Sequence, residues 1–370
     1  VVQPRSYWFF DNSQTAAAKR IANRRLLDMA TLTRAHNQLF SRTPDTRFSS
    51  LDSLHKYCKR DMEESADRWV SPEKFRLAPE DGQLRLGLNG DGAYNLSDWS
   101  FSQLCRMAEV PKDTVNRLST DTASQVLTET LPRTSRPVQA FTRNQSLRSI
   151  HGVSYRRLYN ADLLDAVRDQ ATGFTPPQVA ENGGTGLYCG EQDMFCFLVD
   201  PTGWVEIGDE AFAPGFFLWN SEVGRRSIGI QSFWFQAVCQ NHIVWDAISL
   251  TEYHHKHTAN VDTALEIIRQ TIDYLVAKRD ERRDGFVQMI RRAMATRLDE
   301  DLEQTLKTIQ EHGISRSLAK AALESAQRQG SLTLFSVIDA LTRMSQERLT
   351  NGGDRTDADE RAGKLLALAA

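Results

Sequence analysis

Neither a Walker loop, G-x-x-x-x-G-K-[ST], nor a dinucleotide fingerprint, G-x-G-x-x-G, occurs in the 370 residues, so the usual sequence basis for an ATPase or a nicotinamide enzyme is missing. Ser221 lacks the flanking glycines of a nucleophile elbow. Cysteine is sparse: five residues, scattered and without a C-x-x-C pair, which argues against a disulfide framework and for reduced thiols in the cytoplasm. No long apolar run predicts a membrane span, and no signal-peptide pattern is visible after Val1. Net charge is -3, so the whole chain does not advertise a polyanion partner, and any such reading must rest on local clustering. With 40% hydrophobic and 25% charged residues, the composition is that of a globular protein of two or three domains.

The densest aromatic and β-branched content lies between Phe216 and Asp246 and surrounds a polar knot at Asn220, Ser221 and Glu222. Ile228 and Ile230 alternate with Ser227, Gly229 and Gln231, the period of a half-buried strand, and Gly224 suits a turn needing positive φ. This predicts strand, polar turn, strand, with Glu222, Arg225 and Arg226 clustered at one sheet end. There they form a salt-bridged strand end or face a ligand; both readings stay open.

The charge pattern changes between Leu131 and Ala161, which hold six arginines (Arg133, Arg136, Arg143, Arg148, Arg156, Arg157), no Asp or Glu, and the aromatics Phe141, Tyr155 and Tyr159. Arginine contacts phosphate in a planar fork and aromatic rings stack bases, so this is the clearest polyanion signature in the chain. The alternative is that Arg156 and Arg157 are the exposed end of a strand. Asn160 is placed to cap a following helix with Leu163, Leu164 and Val167 on its buried stripe. After a Pro- and Gly-rich connection, strands are predicted at 187–189, 194–199 and 204–207. They complete an antiparallel sheet within an α+β core from Val138 to Asp246.

Around this core the spacing predicts helices. One is an arginine-bearing helix over Ser13–Leu39, and another covers Leu51–Trp69. A Ser97-capped pair runs through Leu118, and a long C-terminal set begins at Val261 and is punctuated by Gly313 and Gly330. A hairpin is expected over Phe75–Leu88. The organisation expected is a helical arm and linker (1–50), a helical module (51–130), the α+β core (131–258), a long-helix region (259–350) and a tail (351–370). Cys239 and His242 with His254, His255 and His257 form the one metal-like constellation. A buried cysteine with surface histidines fits the same residues, and no metal or other cofactor is assigned.

The chain resembles the phage/plasmid-like family built on a domain of unknown function. The resemblance rests on Tyr155-Arg156-Arg157-Leu158-Tyr159-Asn160 leading into Leu163-Leu164, and on Asn220-Ser221-Glu222-Val223-Gly224. It also rests on Val238-Cys239-Gln240-Asn241, on His257-Thr258 and on the helical Leu96–Leu104 motif. His242 stands where the family pattern has glycine. More distantly, the strand-rich core with its basic strand-to-helix segment is similar to the single-strand annealing recombinases of mobile elements. That likeness implies an oligomeric, ATP-independent protein holding single-stranded DNA in a basic groove. The expectation is a homo-oligomeric strand-annealing protein in which Arg133, Arg136, Arg143, Arg148, Arg156, Arg157, Arg225 and Arg226 neutralise phosphates. Tyr155 and Tyr159 would support bases or pack beneath them. A hydrolase centred on Cys239, His242 and Glu222, and a non-catalytic structural protein of a mobile element, are the alternatives.

Overall fold

A computed structural model describes residues 38–90, 92–177, 186–237, 241–244, 261–298, 301–330, 332–348 and 351–369. The described residues form thirteen strands in two sheets and eleven α-helices, an α+β architecture with helices at both ends. The arm expected over Ser13–Leu39 lies, through residue 37, outside them, as do Cys239, His254, His255 and His257.

The smaller sheet comes first in the chain. Helix α1 (Leu51–Glu63) starts at Ser50, whose hydroxyl accepts from the Ser53 N–H while the Ser53 hydroxyl accepts from the Ser50 N–H. The helix expected over Leu51–Trp69 stops at Glu63, and Ser65–Val70 is instead strand β2; the hairpin expected over Phe75–Leu88 is present as β3 (Phe75–Glu80) and β4 (Gln83–Leu88), followed by β5 (Ala93–Leu96). Asp81 and Gly82, both at positive φ, turn β3 into β4. Charged residues such as Asp67 and Arg68 hide the pattern of β2. They occupy the rims and the less buried face of a sheet whose other face carries Leu84, Leu86, Leu96, Ala140 and Leu147. Helices α2 (Asp98–Met107), α3 (Lys112–Val115) and α4 (Thr120–Thr130) cover that face through Phe101, Leu104, Val115, Ala123 and Leu127. Ser97 caps α2 in a capping box with Ser100, as its spacing predicts.

Strands β6 (Val138–Arg143) and β7 (Ser146–His151) complete this sheet, in the order β2-β6-β7-β5-β4-β3. Only β5 and β7 pair in parallel. The single sheet expected from Val138 onward is therefore two. The basic hairpin pairs backward, with β2 and β5, because those edges precede it and the aromatic strands that follow saturate one another.

The larger sheet is antiparallel throughout: β1 (Thr46–Arg47), β8 (Leu187–Cys189), β9 (Met194–Val199), β11 (Glu210–Asn220), β12 (Gly229–Gln236) and β13 (Asn241–Val244), with β10 (Val205–Ile207) paired to β11. Its strands alternate cleanly. Met194, Cys196, Leu198, Phe216, Leu218 and Ile230 face α1, α5 (Asn160–Gln170) and α6 (Val261–Ala277), while Phe195, Phe197, Phe217, Phe233 and Phe235 make an aromatic layer on the other side.

Helices α7 (Arg279–Ala295), α8 (Leu302–Glu311), α9 (Arg316–Arg328), α10 (Leu334–Arg348) and α11 (Gly352–Lys364) close one end, with Phe286 stacked on Trp234 at 4.0 Å between ring centroids. Gly313 and Gly330, at φ 79° and 89°, end α8 and α9 as their positions predict. Inside this bundle Asp359 is sealed, accepting from the Ser345 hydroxyl with Arg355 Nε 3.6 Å away. Burial pushes its carboxyl up to about 7, against the pull of Arg355 and Ser345. Below about pH 4 both states hold the proton; between there and pH 7 only the folded chain does, so stability falls as pH rises, by on the order of 4 kcal/mol at most. Asp359→Asn is expected to flatten this slope and raise stability at pH 8 relative to pH 5, read by urea unfolding at both values; an unchanged slope would contradict the assignment.

Candidate functional site

The polar knot is a turn tied into the fold through the side chains of Asn220, Ser221 and Glu222. Asn220 ends β11 and donates through Nδ2 to the Leu158 carbonyl at 2.8 Å and to Asn160 Oδ1 at 2.9 Å. Ser221 donates to the Gln192 carbonyl at 2.6 Å and accepts from the Arg225 N–H at 3.0 Å, so its hydroxyl is a structural fastener. Gly224 takes φ 69°, with Tyr155 and His151 so close that a side chain would collide with them. Trp99, from α2, donates its indole N–H to the Val223 carbonyl at 2.8 Å and so ties the smaller sheet's helices to this turn.

Glu222 is the centre. Its Oε1 accepts from the Asn160 N–H at 2.8 Å, its Oε2 accepts from Arg148 Nη1 at 2.8 Å, and its carbonyl accepts from the Tyr155 hydroxyl and from Arg157 Nη1. Asn160 is the first residue of α5, so the capping oxygen comes from Glu222, 62 positions away, and not from the Asn160 side chain as expected. A carboxylate there also suits the positive end of the helix dipole. Burial pushes the Glu222 carboxyl above its ordinary value, with Arg148 and the Asn160 N–H opposing the rise. Burial likewise opposes the Arg148 charge, but Glu222 and Asp61 outweigh it and hold the guanidinium above its ordinary value.

Arg148 also reaches Asp61 on α1, and Arg143 pairs with Asp61 at 2.6 Å and with Glu64 at 3.0 Å. Arg157 pairs with Asp67 at 2.6 Å and lies 3.3 Å over the Phe141 ring; Arg148 approaches the same ring at 5.0 Å. Three of the six clustered arginines thus converge, but on four carboxylates: Asp61, Glu64, Asp67 and Glu222. Tyr155 packs beneath this joint with its ring stacked on His151 at 3.7 Å, and Tyr159 sits 6.3 Å from Phe141, both between ring centroids. Arg225 pairs with Asp193, and Arg226 with Asp357 at the C-terminal helix α11. These partners were invisible in the sequence because they come from distant segments that look like ordinary solvated helix and strand charge.

The remaining predicted cations are elsewhere. Arg133 and Arg136, in the loop entering β6, and Arg156, in the loop leaving β7, are exposed. Strands β2, β6 and β7 are neighbours, and the register Trp69 to Gln139 to His151 brings the end of β2, the start of β6 and the end of β7 to one edge. The exposed Lys74 follows β2, and the Ser71 hydroxyl donates to the Ser135 carbonyl at 2.8 Å, which pins these two loops together. Among the described residues none of these four cations has an ion-pair partner, and Glu73 is the one carboxylate in the three segments 71–74, 131–137 and 152–156. Beside them Trp69 is 51% exposed and Val153 40%. Trp69 was missed because a single tryptophan in a strand of mixed polarity carries no pattern.

Among the described residues no three His, Cys, Asp or Glu side chains are grouped to hold a metal, and no helix is long and apolar enough to cross a membrane. No protein-family model, curated protein or solved structure matches the chain.

Adjacent arginines here have opposite surroundings: the Arg157 side chain is 2% exposed and paired, whereas Arg156 is exposed. Arg157→Ala is expected to destabilise by about 2 kcal/mol, since it uncovers Phe141 and removes a donor from the buried Glu222 carbonyl, and Arg156→Ala by less than about 0.5 kcal/mol. Urea unfolding of the two variants compares them directly; equal losses would contradict the placement.

Proposed function

We propose that the chain binds a single nucleic-acid strand at the exposed basic edge of the smaller sheet and acts as an ATP-independent annealing protein. The observation that supports this is the gathering of Lys74, Arg133, Arg136 and Arg156, without protein carboxylates to neutralise them among the described residues, beside the exposed ring of Trp69. The cations supply phosphate contacts and the indole supplies a platform on which a base stacks regardless of its identity. Arg143, Arg148, Arg157, Arg225 and Arg226 are assigned to holding the fold, and Tyr155 and Tyr159 to packing beneath the loop. No bond is made or broken in this activity.

With three or four phosphates contacted, raising salt fourfold should weaken binding of a labelled oligonucleotide roughly 18- to 50-fold, from a slope of about -0.7 per phosphate for single strands. Arg133→Ala with Arg136→Ala should lower that slope by about 1.4, and Trp69→Ala should cost ~1–3 kcal/mol of binding. Fluorescence anisotropy at two salt concentrations measures all three. Salt-independent affinity, or full binding by the variants, would contradict the assignment.

A further inference from the structure

A second feature lies on the other side of the charged joint. Between the two sheets, where α1 meets the ends of β7 and β8, the chain encloses a cleft of about 350 Å³. This is inside the range of roughly 300–1,000 Å³ typical of small-molecule sites. Its walls include Tyr57 and Asp61 from α1, Ser146 and Arg148 from β7, and Cys189 and Glu191 from the end of β8 and the residues beyond it.

Two of these groups are held but incompletely used. Arg148 directs Nη1 to both Asp61 and Glu222, and this anchors the guanidinium. Its Nε and Nη2, the side-on fork that matches a carboxylate in two parallel bonds, have no hydrogen-bond partner among the described residues. Glu191 lines the same cleft, and of its two carboxylate oxygens only Oε1 accepts, from Gln192 Nε2 at 3.2 Å. Among the described residues Glu191 has no ion pair.

The surrounding charge narrows the occupant. Arg143 and Arg148 are already matched by Asp61, Glu64 and Glu222, so a simple anion on the Arg148 fork would add to a negative excess, and a simple cation would leave the fork empty. A molecule bearing both signs satisfies the fork and Glu191 together. We infer that this cleft binds a small zwitterion with one carboxylate and one ammonium group, of the α-amino acid class. The carboxylate sits on Nε and Nη2 of Arg148, the ammonium on Glu191, and the hydroxyls of Tyr57 and Ser146 complete the polar lining. This site is independent of the strand-binding edge.

The test is calorimetric titration of the full chain with the set of α-amino acids, the matching hydroxy acids, which lack the ammonium group, and the matching amines, which lack the carboxylate. Arg148 is too deeply built into the joint to be the sole variant, so Glu191→Gln and Ser146→Tyr are used. The first removes the ammonium partner, and the second fills the mouth of the cleft from an exposed position; circular dichroism checks that both fold. Expected is saturable binding of at least one amino acid, with each analogue and Glu191→Gln weaker by about tenfold or more, equal to ~1.4 kcal/mol. Ser146→Tyr should abolish it. No saturable binding by any amino acid, equal binding of the hydroxy acid, or binding that survives both substitutions would overturn the inference.

Discussion

The fold depends on a carboxylate placed where water cannot reach it. Glu222, on a turn of the larger sheet, is answered by a guanidinium from the smaller sheet and by the first N–H of α5. Each partner belongs to a different structural unit, so the carboxylate specifies how the units are set against one another. An ion pair this deep contributes little net stability, because desolvation offsets most of the Coulomb attraction. Removing one partner, in contrast, strands the other in a medium where an isolated charge is costly. The raised Glu222 carboxyl reflects that balance: burial opposes its charge and the donors only partly compensate.

The same logic extends outward. Asp61 carries the network from Arg148 to Arg143 and so couples α1 to β6 and β7. On the far side, Asp193 is approached by Arg42, Arg225 and Arg226, and Arg226 continues to Asp357 on the last α-helix. Asp45, near β1, accepts from the Gly352 N–H at the start of that helix at 2.8 Å. The beginning and end of the described chain are thus tied to the same edge of the larger sheet. Arginine suits these joints because its planar fork serves two acceptors at once and its face lies on aromatic rings, as Arg157 does on Phe141.

Periodicity made much of this legible in advance. The strands at Met194–Val199 and through Phe216–Asn220, the capped helix at Ser97, the long helices after Val261 and the glycine stops at Gly313 and Gly330 all follow from local physics, and the structure shows them. The hairpin at Phe75–Leu88 was legible, but strand β2 did not announce itself, because Asp67 and Arg68 interrupt any apolar alternation in Ser65–Val70 and its partner strand is remote. The arginine cluster was visible as composition but not as disposition. Nothing local distinguishes Arg156, which faces solvent, from Arg157, which is sealed against Phe141 and Asp67. Acidic partners 60 to 90 positions away decide the matter, and long-range pairing is what a linear pattern cannot carry.

The claim on which everything else rests is that Arg148 and Glu222 act as one unit between the two sheets. A double-mutant cycle with Arg148→Met, Glu222→Gln and the combined variant, read by urea unfolding, tests it most directly. The account predicts that each single change costs about 3–5 kcal/mol and that the double variant recovers at least about 1.5 kcal/mol of their sum. Additive losses, with no recovery in the double variant, would show that the two groups do not hold each other and would contradict it.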